Sequence, residues 1–277
     1  MTNYQGIVSA QWLQANLTNP EVKIIDCRFR LQDSHWGYQQ YLQSHIPGAY
    51  YLDLDRNLSS PVRQHGGRHP LPDPQVLARK LANVGIIAGK TMVVAYDDSR
   101  FAFAARLWWL LRYLGHDKAA LLNGGWHGWR ENNYPTTDIV PPSEPGSFPP
   151  EIATDWIVDL ETVKQRKDLL SVVLVDAREG DRYRGEREPI DPIAGHIPGA
   201  VNLFWQEFTD SQSNIQPLSK QQQLWQPYQN AEEIILYCGS GVTACVNLFS
   251  LEMVKRKGCK LYPGGWSDWC SYLNKTE

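Results

Sequence analysis

Tyr237-Cys238-Gly239-Ser240-Gly241-Val242-Thr243-Ala244-Cys245 sets a cysteine between an apolar run and a helical pattern, and the reading of the fold works outward from it. Upstream, Glu233 to Tyr237 (EIILY) is β-branched and apolar almost throughout, which predicts a buried parallel strand. Downstream, Val242 to Lys257 shows helical spacing, closes on Lys255-Arg256-Lys257 and stops at Gly258, which predicts an amphipathic helix with a basic last turn. Cys238 is therefore expected at a strand-loop-helix corner. The glycines allow the loop to curl so that N–H groups drawn from Gly239, Gly241, Val242 and Thr243 point inward, toward an anion. Together with the helix amino end, they favour a thiolate over a thiol and make Cys238 a candidate nucleophile. A buried free cysteine beside a glycine turn is the alternative that this stretch alone leaves open.

The chain repeats itself. Val22 to Arg28 (VKIIDCR) corresponds to Val172 to Arg178 (VVLVDAR), and Ser44 to Ala49 (SHIPGA) to Gly195 to Ala200 (GHIPGA). Val93 to Asp97 (VVAYD) corresponds to Ile234 to Cys238 (IILYC), and Gly124-Gly125-Trp126 to Gly264-Gly265-Trp266. Four pairs in one order describe a duplication. Each half reads as a helix (Ser9 to Asn16; Asp155 to Arg166), a strand ending in Asp, the HIPGA turn, a helix, a strand, the loop, a helix and a short strand before Gly-Gly-Trp. Strands alternating with helices predict two tandem α/β domains, each a mainly parallel sheet flanked by helices, with ligands at the carboxyl ends of the strands. Asn133 to Pro150 carries six prolines and reads as an extended linker. The expected limits are a first domain over 1–134, a linker over 135–152 and a second domain over 153–277. Repeat spacing falls from 151 to 141 between HIPGA and the loop, so the first half holds an insertion, which falls around Pro61 to Pro72 (PVRQHGGRHPLP).

CGSGVTAC resembles the active-site loop of the mercaptopyruvate and thiosulfate sulfurtransferases, the two-domain rhodanese family, and the resemblance spans nearly the whole chain. It implies that Cys238 takes a sulfur atom from a small-molecule donor as a persulfide and passes it to a thiol acceptor such as thioredoxin, or to cyanide, with no metal and no cofactor. Asp97 stands in the first half where the second has Cys238, so the first domain is expected to be inactive as a sulfur carrier and the second catalytic. Thiosulfate-preferring members place cations directly after the cysteine, whereas this chain has Gly239 and Ser240 there and resembles the mercaptopyruvate type. Thiosulfate remains the alternative donor, and a non-catalytic sulfur relay the alternative role. The resemblance further implies a relay of Ser240 with His69 and Asp55, and substrate binding by Arg182. Arg187 is the stand-in for a second substrate arginine. A cysteine phosphatase would need an arginine at position 244, which is Ala.

Several residues are expected to be structural. His45 and His196 recur in both halves at the same turn, Arg178 follows its strand-end Asp as Arg28 does, and Cys245 lies two helical turns after Cys238. A net charge of -3 offers no general attraction for nucleic acid or anionic membrane. No run of about 18 apolar residues is present. The start MTNYQGIVSAQWLQ lacks the pattern of a secretory leader, and five cysteines without regular spacing fit reduced thiols, so a cytoplasmic setting is expected. Two fused domains sharing one site would remove the usual need for a dimer, so a monomer is expected.

Overall fold

The computed structural model describes residues 6–273; the first five residues of the stretch read for a leader, and the last four of the chain, lie outside them. The chain divides into two compact units. One holds the residues up to Ser60, Pro72–Ala153 and Thr209–Ile215; the other holds Pro61–Leu71, Thr154–Phe208 and the residues from Gln216 onward. This grouping differs from the expected limits at three places, one of them Thr209–Ile215, which falls within the expected second domain but belongs to the first unit. The proline-rich linker belongs to the first unit, because prolines lack an N–H but their neighbours do not. His45 and Thr137 exchange backbone hydrogen bonds at 2.8 and 2.9 Å, and Ala88 N–H donates to Ser147 O at 2.8 Å. The insertion around residues 61–71 belongs to the second unit.

In the first unit the elements are β1 (Ile7–Val8), α1 (Ala10–Ala15), β2 (Val22–Asp26), α2 (Trp36–Gln43), β3 (Ala49–Tyr51), α3 (Pro74–Asn83), β4 (Met92–Tyr96), α4 (Ala104–Tyr113), β5 (Ala119–Leu122) and α5 (Gly125–Glu131). Their starts are written in the sequence: Ser9 Oγ caps α1 by accepting from Trp12 N–H, and Asp73 caps α3 ahead of Pro74. The strands lie in the order β1-β5-β4-β2-β3, and every pairing is parallel.

The second unit opens with a 3₁₀ turn at Thr154–Trp156 and continues through α6 (Leu160–Arg166), β6 (Val172–Asp176), α7 (Gly180–Tyr183), β7 (Val201–Asn202), α8 (Leu218–Trp225), β8 (Glu233–Tyr237), α9 (Ala244–Met253), β9 (Cys259–Leu261) and α10 (Gly265–Trp269). Its sheet order is β7-β6-β8-β9, again parallel throughout. Two helices differ from expectation. The one expected over 155–166 is split, because Asp159 accepts from Thr162 N–H and starts α6 afresh. The one expected to reach Lys257 ends at Met253, where Lys255 turns left-handed (φ 57). Lys255 N–H then donates to Glu252 O, and Arg256 N–H to Leu251 O. Nor is α9 amphipathic. Nine of its ten residues are buried, and its polar Asn247 and Ser250 are bonded within the unit, to Leu203 O and to Trp225 Nε1.

The duplication extends to side chains. Asp26 sits opposite Tyr96 across β2 and β4, as Asp176 sits opposite Tyr237 across β6 and β8. Arg28 and Arg178 each fold back on their strand-end Asp and also donate to a carbonyl just before HIPG, Ser44 O at 2.7 Å and Gly195 O at 2.6 Å. His45 and His196 donate from Nδ1 to Tyr41 O and Tyr183 O, and each ring stacks on that tyrosine at 4.0 Å. These residues bind sheet to turn in both units.

The first unit's loop after β4 is closed by its own side chain. Asp97 Oδ1 accepts from the N–H groups of Ser99 and Phe101, and Oδ2 from those of Phe103 and Ala104, all at 2.9–3.0 Å. Burial lifts this carboxyl to about 6, with the N–H groups pulling the other way. Asp97→Ala leaves four buried donors without their acceptor and should cost about 3 kcal/mol, read by calorimetric melting. A carboxyl raised in the folded state makes its full contribution below its unfolded pKa and loses part of it as pH rises toward about 6. The loss in the variant should therefore be larger at pH 4 than at pH 7. An unchanged melting temperature would show that the donors have other acceptors.

Candidate active site

The loop from Cys238 to Thr243 joins the carboxyl end of β8 to the amino end of α9. Its orientation is set by the Gly-Gly-Trp turn. Trp266 N–H donates to Cys238 O at 2.8 Å, and Ser267 N–H to Gly239 O at 2.9 Å. A trans peptide points its N–H opposite to its C=O, so the N–H groups of Gly239 and Ser240 face away from α10. Val242 O and Thr243 O accept from Cys245 N–H and Val246 N–H, closing the first turn of α9 and leaving that helix's amino end toward the loop. Gly265 makes the approach possible: it has φ 62, and a β-carbon there would stand 2.6 Å from Cys238 O. Cys238 itself is 2% exposed.

Segment 61–71 is fastened to the same turn. Gly66 N–H donates to Asp268 Oδ1 at 2.7 Å and Arg68 N–H to Ser267 Oγ at 2.9 Å, and His65 bonds Ser271 and stacks on Tyr272. His69 is thereby delivered to the loop. Its Nδ1 shares a 2.7 Å hydrogen bond with Ser240 Oγ, both residues being buried, at 6% and 4% exposure. Asp55 belongs to the first unit, where it is exposed and its N–H donates to Asp53 Oδ1 at 2.9 Å.

Four arginines and five carboxylates follow β6 up to and including Asp191. Arg178 is held by Asp176 and by Glu188 at 3.2 Å, which gives it the structural place expected for it. Arg182 pairs with Glu188 at 2.7 Å and with Asp191 at 3.3 Å, and its guanidinium stands within 4 Å of a β-carbon placed at Gly239. Burial pushes the Glu188 carboxyl up, but bonds from Arg182 and from the Asp191 and Ile190 N–H groups outweigh it and leave it below the usual range. Arg187, the expected second substrate arginine, pairs instead with Asp181 at 2.6 Å and with Glu179, half exposed. A hydrogen-bonded carboxylate on each side of the same arginine gives it a surface partner set. The second guanidinium at the loop is that of Arg68, which pairs with Asp191. In sequence the signal for this cation is its place immediately before His69, within the insertion of the first half.

A model of the rhodanese-like domain matches residues 9–132 and again 159–272. A probable 3-mercaptopyruvate sulfurtransferase of Pseudomonas aeruginosa is 42% identical over 95% of this chain and 94% of its own. The chain belongs to the rhodanese-like family. Within it, this rhodanese-like protein is a two-domain sulfurtransferase. A thiosulfate sulfurtransferase of Mycobacterium tuberculosis, itself named as putative, is 32% identical over 90% of this chain and 88% of its own. The crystal structure of the 3-mercaptopyruvate enzyme of Escherichia coli superposes with a TM-score of 0.81 at 30% identity, covering 96% of this chain and all of that one.

In this rhodanese-like protein the loop should fail if the turn beneath it is displaced. Gly265→Ala puts a side chain at a left-handed position against Cys238 O, and should cost about 2 kcal/mol and lower sulfur transfer about tenfold or more. Thermal melting and a cyanide-based sulfur-transfer assay read both. Normal turnover would show that the loop does not depend on α10.

Proposed function

We propose that the donor is 3-mercaptopyruvate and that its sulfur rests on Cys238 as a persulfide before passing to a thiol. The Cys238 thiolate attacks the donor sulfur and forms the S–S bond. The donor's C–S bond breaks, its electron pair leaves as the enolate of pyruvate, and that enolate takes up a proton to become pyruvate. A thiolate then attacks the outer sulfur of Cys238-S-S⁻, and Cys238 leaves as thiolate. Loop N–H groups from Gly239 through Thr243 stabilise the anion at each stage, and no metal is needed. Arg182 binds the donor carboxylate.

The observation that carries the donor choice is the 2.7 Å bond between His69 and Ser240, two residues past the nucleophile. Sulfite, the product from thiosulfate, leaves as an anion and needs no proton, whereas an enolate does. A hydroxyl paired with an imidazole beside Cys238 is a device for moving one. The part of Asp55 in this relay rests on the sequence resemblance and is proposed on that ground. Five cysteines without a pairing pattern support a reducing, cytoplasmic setting. A small thiol or reduced thioredoxin is proposed as the acceptor and a monomer as the working form, on the ground of the family resemblance and of both domains lying in one chain.

Cys238→Ser should lose sulfur transfer entirely, and intact mass should show one added sulfur on the wild type alone after donor exposure. Wild-type kcat/KM for mercaptopyruvate should exceed that for thiosulfate by about a hundredfold. Ser240→Ala and His69→Asn should each lower mercaptopyruvate kcat by about a hundredfold, and thiosulfate turnover much less. A preference for thiosulfate, or equal losses with both donors, would remove the relay argument.

A further inference from the structure

We infer that Arg68 is a donor-binding and specificity-determining residue, forming with Arg182 a clamp for the donor carboxylate beside Gly239; the assignment rests on the α-keto-acid donor proposed above. Gly239 has no left-handed backbone angle, so conformation does not require glycine there. Space does. A β-carbon at Gly239 would stand 2.8 Å from Arg68 Nη2 and 3.8 and 3.9 Å from Arg182 Nη2 and Nη1. Two guanidinium groups from distant parts of the sequence thus converge on one point, next to the peptide that follows the nucleophile.

The hydrogen bonds show which nitrogens remain available. Arg68 uses its backbone N–H on Ser267 Oγ and Nη1 on Asp191 Oδ1. Arg182 uses Nε on Glu188, and Nη2 on Glu188 and Asp191. Among the described residues, Arg68 Nη2 and Arg182 Nη1 have no protein hydrogen-bond acceptor, and both are nitrogens that stand at Gly239. Asp191, 2% exposed, gives one oxygen to each arginine and so fixes them side by side. A planar carboxylate accepting from both nitrogens is the complement of this pair. Arg68 is 27% exposed, the most open of the three guanidinium groups in the cluster. Ser267 ties the clamp to the nucleophile, since its N–H holds Gly239 O while its Oγ holds Arg68 N–H.

The test compares wild type, Arg68→Met, Arg68→Lys and Gly239→Ala. Arg68→Met should raise KM for mercaptopyruvate about tenfold or more with kcat nearly unchanged, the mark of lost ground-state binding. Arg68→Lys, which keeps the charge and loses the fork, should fall between. Gly239→Ala should raise KM in the same sense while melting close to the wild type. Calorimetric titration with pyruvate should weaken in step with KM, whereas methyl pyruvate, which lacks the carboxylate, should bind wild type and Arg68→Met alike. Wild-type KM and pyruvate affinity in Arg68→Met would overturn the assignment, as would a fall in kcat at constant KM. Pyruvate binding is read without turnover. Were mercaptopyruvate not consumed by the wild type, the donor reading would fall while loss of pyruvate affinity in Arg68→Met still established the clamp.

Discussion

The amino end of α10 donates to the carbonyls of Cys238 and Gly239, and these two hydrogen bonds decide which way the Cys238 loop faces. Peptide planarity does the rest: with the carbonyls turned down onto Trp266 and Ser267, the following N–H groups can only point to the other side. Gly265 is the condition for this, because its left-handed backbone brings the helix start within contact of Cys238 O. The Trp of the same motif supplies the fixed point. Its ring is buried under Arg178, and its Nε1–H donates to Ile193 O at 2.8 Å. A loop that must stabilise charge without reorganising is thus held by the rigid core beneath it.

The first unit shows the same turn with a different occupant. Trp126 N–H donates to Asp97 O at 2.8 Å, as Trp266 N–H does to Cys238 O. There the carboxylate of Asp97 folds into the loop and takes four N–H groups for itself. A backbone that gathers N–H groups at this corner is therefore a property of the repeated fold, and the residue at the strand end decides its use. An aspartate fills the ring of donors with an internal anion and cannot carry sulfur. A cysteine, with a shorter polar reach and a nucleophilic atom, leaves room for an anion from outside.

The repeat made the architecture legible. EIILY is β8 residue for residue, and Asp26 with Arg28, Asp176 with Arg178, and the two HIPG histidines behave alike in both units because the same buried turn has to be bonded twice. What was illegible lay where the halves differ. The end of α9 was misplaced because Lys255, a residue with no intrinsic liking for positive φ, closes the helix through tertiary context three residues before the glycine that looked like the stop. Segment 61–71 has no counterpart in the second half, so repetition said nothing of it. Arg187 lies close to Arg182 in sequence, whereas Arg68 is 114 residues from Arg182 and reaches the loop only through tertiary structure.

The charges around the loop form an alternating chain. Asp176 holds Arg178, Arg178 reaches Glu188, Glu188 holds Arg182, Arg182 shares Asp191, and Asp191 holds Arg68. Burying any one of these guanidinium groups alone would cost several kcal/mol, and each carboxylate offsets that by serving two cations or by closing the chain's inner end. The inner members have charged partners on both sides or are capped by backbone, as Arg178 is by Gly195 O. Arg68 stands at the outer end with one carboxylate partner, the greatest exposure of the three, and a nitrogen turned to Gly239. The series begins on a buried anion and ends on a cation, three of each sign, so its charge is balanced within the protein while its open, cationic end faces Gly239, the residue after Cys238.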